Sequence, residues 1–290
     1  MSPPAGPLFR FVQFEYPWAL GPADGRYVLR GHAGVPAHVL MVSTLGAAKR
    51  SGRRGRRGRP RTAAPSPEPM PVATTRATLV AADAFDSAAE AKRWGDTVDG
   101  EAEAAAALRV INGVLHAHRI AAADPTVPEL SRGAALAARV GVGEGEALAH
   151  GRWASAVDLA PPGRARTTRS AAVLRPQERL AAVLGGRDVA LACEALTLRA
   201  RSDVDAGRMR EAALQLRVAV ECALAELAPW ADRDTVARRR DELREERAAV
   251  AAAANEAIRG GLDADTIEQV ERILRLLETA LRARTSVGLE

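Results

Sequence analysis

Phe9-Arg-Phe-Val-Gln-Phe-Glu-Tyr16 gathers aromatic and β-branched residues into one short run, the composition of a strand rather than of a helix. Pro17 ends the run, and Gly21-Pro22-Ala23-Asp24-Gly25 is turn chemistry: proline fixes φ, and Asp-Gly tolerates positive φ. Tyr27–Arg30 and His38–Leu45 read as two further strands and Thr75–Ala82 as a fourth, so the N-terminal part begins as an antiparallel meander.

Between the third and fourth strands the pattern breaks. Residues 46–74 hold basic residues, Gly, Pro and Ser with almost nothing to bury, the composition of a disordered basic loop. Lys49, Arg50, Arg53, Arg54, Arg56, Arg57, Arg59 and Arg61 follow one another with no acid among them. The chain's formal net charge is +5, while residues 176–290 carry 18 Arg against 21 acids. The basic excess is therefore a local tract and not a basic surface.

Residues 87–94 and 100–120 read as helices, the second with Ala104, Leu108, Ile111 and Leu115 at helical spacing, and Asp124-Pro125 and Pro128 stop it. Ala135–Gly141 and Glu146–Leu159 read as two more strands around a Gly141-Val-Gly143-Glu-Gly145 turn. The sum is an α+β domain over 8–160, a small antiparallel sheet with one main helix. Pro161-Pro-Gly-Arg-Ala-Arg-Thr-Thr-Arg-Ser170 opens a linker over 161–175, free of periodicity and rich in Pro, Gly and hydroxyl residues.

Everything beyond, 176–286, reads as an all-α helical-hairpin or bundle domain. A helix at 188–204 and an apolar stripe of Ala213, Leu216, Val220 and Leu227 flank the Asp205-Ala-Gly207 turn and predict a helical hairpin. A long charged helix is expected over 233–259, up to Gly260-Gly261. Asp265 with Glu268 has the spacing of a capping box. In the last helix Ile267, Val270, Leu274, Leu277 and Leu281 recur at intervals of 3, 4, 3 and 4, a coiled-coil seam that wants a partner helix.

Over 188–227 the alternation of small and large apolar positions, the Gly207 turn and the run Ala212, Ala213, Leu214–Val220 resemble one tetratricopeptide repeat. In that family such hairpins stack into a groove that holds peptides or partner proteins, so the resemblance implies a protein-binding helical repeat.

Other motifs carry less chemistry. His116 and His118, two apart on a helix, point to different faces and do not converge on a metal. Gly141-x-Gly143-x-Gly145 lacks a following helix start of the phosphate-binding kind, and its neighbours Glu144 and Glu146 would repel phosphate. Cys193 and Cys222 are the two cysteines, too few for a disulfide framework or a metal cluster, and they read as small buried hydrophobes. Trp18, Trp94, Trp153 and Trp230 read as packing anchors.

No nucleophile elbow, acid–base pair, metal cluster or cofactor motif stands out, no secretory leader is read at residues 1–10, and no apolar run is long enough for a membrane helix. The chain therefore reads as a cytoplasmic, non-enzymatic interaction or scaffold protein, with no metal, cofactor or membrane partner. It is expected to bind a protein partner or itself through Ile267, Val270, Leu274, Leu277 and Leu281. A second reading makes it a nucleic-acid- or ribosome-associated factor whose Arg53, Arg54, Arg56, Arg57 and Arg59 hold phosphates. A third is an enzyme with a cleft at the domain junction.

Overall fold

A computed structural model of the chain describes residues 6–31, 34–46, 74–162 and 175–288. The chain divides into two compact units, Met1–Arg164 and Ala165–Glu290. The first is α+β and the second all-α, as the sequence predicts.

In the first unit, strands β1 (Leu8–Tyr16), β2 (Gly25–Arg30), β3 (Pro36–Leu45), β4 (Thr74–Ala84), β5 (Ala137–Glu144) and β6 (Ser155–Asp158) form one antiparallel sheet in the order β2-β3-β4-β1-β5-β6. β1 is interior because both of its faces are apolar. Val12, Phe14 and Tyr16 face helix α2 (Gly100–Ala122), where they pack with Leu40, Leu79 and Val140 of the sheet and with Ala104, Leu108, Ile111 and Leu115 of the helix. Phe11, on the opposite face, joins Met41, Val80 and Leu148. Two polar residues are buried with them and satisfy one another, Gln13 Nε2 donating to Thr78 Oγ1 at 2.8 Å. The Tyr16 hydroxyl donates to the Ser131 carbonyl at 3.0 Å, and burial pushes its pKa up to about 12. Helix α1 (Ala88–Thr97) precedes α2. Ser87 accepts from the Glu90 amide at its start, and Asp99 caps α2 by accepting from the Glu101 and Ala102 amides.

Two sequence expectations are corrected here. The stretch expected as a strand from Glu146 to Leu159 begins instead as a short helix, α3 (Gly145–Ala149), and only Ser155–Asp158 pairs with β5. Gly141 and Gly143 are strand residues, not a turn. A Cβ at Gly141 would stand 2.2 Å from the Ser155 carbonyl oxygen, and one at Gly143 would stand 2.5 Å from Leu148 Cδ2. These glycines admit the backbone of β6 and the side chain of Leu148 against the sheet.

The second unit holds α4 (Pro176–Leu184), α5 (Ala192–Asp205), α6 (Met209–Glu226), α7 (Asp234–Glu245), α8 (Arg247–Arg259) and α9 (Ala264–Gly288). The α5–α6 hairpin turns at Gly207 (φ +74°). Glu226, at the far end of α6, caps α5 by accepting from the Ala192 and Cys193 amides. The expected 233–259 helix is two helices. The chain steps at Glu246, whose carboxylate takes both ends of the Arg272 guanidinium at 2.7 Å, tying the step to α9. The cap of α9 lies earlier than expected: Asp263, not Asp265, accepts from the Thr266 amide, and its carbonyl accepts from Ile267.

Candidate functional site

α9 packs against α5, α6, α7 and α8. Its seam is the centre of the unit's core: Val270, Leu274 and Leu277 are fully buried, Leu281 is nearly so, and Ile267 is half-buried. The partner helices that the seam wants belong to the same chain. The core it belongs to mixes small and large side chains, with Ala213, Ala219, Ala223, Ala253 and Ala257 beside Leu216, Val220, Leu243 and Val250, and the alanines let the helices approach closely.

Ion pairs fasten the ends of this core. Asp188, between α4 and α5, accepts from both Arg179 and Arg284, and Arg179 also grips Glu194 through a two-pronged contact at 2.6 and 2.7 Å. Arg284 is 1% exposed and lies 4.5 Å from the ring centre of Trp230. Burial alone would raise the Asp188 pKa, but hydrogen bonds from Arg284, the Val189 amide and Arg179 outweigh it and bring it down to about 2. Cys193 and Cys222 are free thiols, and burial pushes the Cys193 thiol far up, which keeps it protonated and unreactive.

With the seam inside, the apolar surface lies elsewhere. On α6, Leu214 and Val218 are 38% and 50% exposed, and on α8 Ile258 is 63% exposed. The two helices are tied along their length. Arg210 Nε donates to the Ala257 carbonyl at 2.9 Å, Arg217 donates to Asn255 Oδ1 at 3.2 Å, and Arg247 pairs with Glu221 at 2.7 Å. Arg210, Leu214, Arg217 and Glu221 follow at helical spacing, so Leu214 stands between two of those ties, and Val218 is its neighbour one turn on. α6 and α8 thus each present exposed apolar side chains close to the charged residues that bridge them. Sequence reasoning passed over those on α6 because Leu214 and Val218 fall inside the apolar run of α6, and the signal that separates them from the buried stripe Ala213, Leu216 and Val220 is helical phase alone.

The Arg53, Arg54, Arg56, Arg57 and Arg59 site lies outside the described residues, as does most of the 161–175 linker. Within the first unit, a cleft of about 160 Å³ is lined by the buried Val12, Leu79 and Ala107 and the half-buried Arg10, His38 and Glu103. The guanidinium of Arg10 is already engaged by Asp83 at 3.0 Å. Among the described residues, no group of three or more His, Cys, Asp or Glu is placed to hold a metal ion, and no helix is long and apolar enough to cross a membrane. Of the four tryptophans, Trp153 is the most suggestive, stacked on Phe11 with the Arg139 guanidinium 5.4 Å from its ring centre. Comparison of the chain with protein-family models, with curated proteins and with solved structures gave no match.

Proposed function

We propose that this chain is a cytoplasmic, non-enzymatic interaction protein whose helical unit holds a partner protein along the α6–α8 face. The observation that carries the reading is the exposure of Leu214 and Val218 on α6 and of Ile258 on α8, two helices packed together and bridged by Arg210, Arg217 and Arg247. Apolar side chains on a rigid helical pair suit a helix laid across them, and the charged frame suits the polar rim that such interfaces carry. The resemblance of 188–227 to a tetratricopeptide hairpin agrees with this use of the outer helix faces.

The test is purification of the tagged full-length chain from its own cells, beside a Val218→Glu/Ile258→Glu double variant and a Leu198→Glu control on α5. A stoichiometric partner that survives high salt, is lost from the double variant and is kept by the control supports the reading. A partner retained equally by all three chains overturns it.

A further inference from the structure

The two edges of the sheet are not alike. β2 is guarded in the ways that keep sheet edges from pairing: it carries Arg26 and Arg30 and its register slips between Leu29 and Arg30. Within β6 there is neither lysine, arginine nor proline, and from Ser155 to Asp158 its pairing with β5 keeps one register; the irregularity lies before the strand, where the Ala154 amide donates to the Val142 carbonyl at 3.0 Å. Val157, in the middle of it, is 59% exposed.

The direction of the free backbone groups follows from the register. The Leu159 amide donates to the Ala138 carbonyl at 2.8 Å, so Leu159 and Ala138 are a hydrogen-bonded pair. In an antiparallel ladder such pairs alternate, which turns the backbone of Val157 and Ser155 toward β5 and that of Ala156 and Asp158 away from the sheet. The outer edge thus offers two amides and two carbonyls, separated by one apolar residue.

That edge is complementary to itself. Laid antiparallel on a copy of itself about a twofold axis at Val157, Ala156 meets Asp158 of the second copy in a hydrogen-bonded pair, and the reciprocal pair forms across the axis. Val157 falls opposite Val157 of the second copy at a non-hydrogen-bonded position, where facing side chains come closest. No like charges are brought opposite, and the carboxylate of Asp158 is already compensated by Arg139 Nε at 2.7 Å. The α1 side of the edge is open: a groove of about 440 Å³ between α1 and the β5–β6 ribbon, lined by Leu8, Ala91, Val98, Val140 and Val142, leaves Val157 uncovered there.

We infer that the partner of this edge is a second copy of the chain, joined β6 to β6 so that two sheets become one. This surface is separate from the α6–α8 face and does not depend on it.

The experiment is sedimentation equilibrium of the full chain over a concentration series, with amide hydrogen exchange on the wild type. The wild type should approach twice the chain mass, and exchange at Ala156 and Asp158 should slow as concentration rises. Ala156→Pro removes an outward donor and leaves the β5 ladder whole; losing two intermolecular hydrogen bonds should weaken dimerisation about tenfold to a hundredfold. Val157→Lys and Val157→Glu each place like charges opposite and should be monomeric alone, whereas their equimolar mixture should recover the dimer. That recovery identifies the register even if Ala156→Pro unfolds. A wild type that stays monomeric, or a mixture of the two charge variants that does, overturns the inference. So does a dimer dispersed by Val218→Glu/Ile258→Glu and untouched at position 157, which would place self-association on the helical face instead.

Discussion

Replacing Leu274 by alanine removes three carbons from a side chain with no exposed surface, at the centre of α9. At about 0.8 kcal/mol per methylene the lost transfer energy is about 2.4 kcal/mol. The cavity adds to it, because a close-packed helical core relaxes only partly around a deleted side chain. At about 24 cal/mol per Å³, a partly collapsed hole of about 50 Å³ contributes about 1 kcal/mol more. The expected loss is therefore about 3.5 kcal/mol, with a fall of about 10 °C in the melting temperature of a unit this size. Urea denaturation followed by circular dichroism, at two protein concentrations well apart, measures it. Because the packing is within one chain, the loss must be the same at both. A variant with wild-type stability and altered mass, or a destabilisation that shrinks as concentration rises, would show that Leu274 faces another molecule and refute the reasoning.

Three further outcomes follow from single features. Gly141→Ala drives a methyl into the β6 backbone at Ser155 and Ala156, and should cost about 1–3 kcal/mol while raising amide exchange in β6; unchanged exchange there would contradict the close approach. The Asp188 carboxyl, depressed in the folded chain to about 2 from an ordinary value of 3.8, stabilises the fold above the ordinary value and loses that contribution as pH falls through about 4 toward 2. The contribution is about 2 kcal/mol, so Asp188→Asn should be markedly less stable than wild type near neutrality and close to it near pH 2, and a gap that is constant with pH counts against the assignment. Replacing Arg53, Arg54, Arg56, Arg57 and Arg59 with glutamine should flatten the salt dependence of any RNA or heparin binding, lowering the log–log slope by up to about 4; a slope that does not move removes the tract from consideration.

Much of the fold is written locally. The aromatic and β-branched run of Phe9–Tyr16, the 3.6-residue spacing of Ala104 to Leu115 and the Gly207 turn each specify their element from neighbours in sequence, and the α+β and all-α units follow from them. What escaped was whatever depends on a distant surface. Gly141 and Gly143 look like turn residues until β6 and Leu148 are laid against them; their role is the absence of a side chain, which leaves no pattern. Arg284 reads as one more charge on a tail helix, yet Asp188, ninety-six residues away, and the ring of Trp230 give it a buried place. The seam of α9 is the clearest case. Spacing of 3 and 4 states that an apolar stripe must be covered, and it is the same stripe whether the cover is another molecule or the chain's own helices. The spacing of the residues imposes the need for that cover. Who supplies it emerges in the folded chain alone, because burial depends on where the other helices arrive, and that is settled by all their packings together.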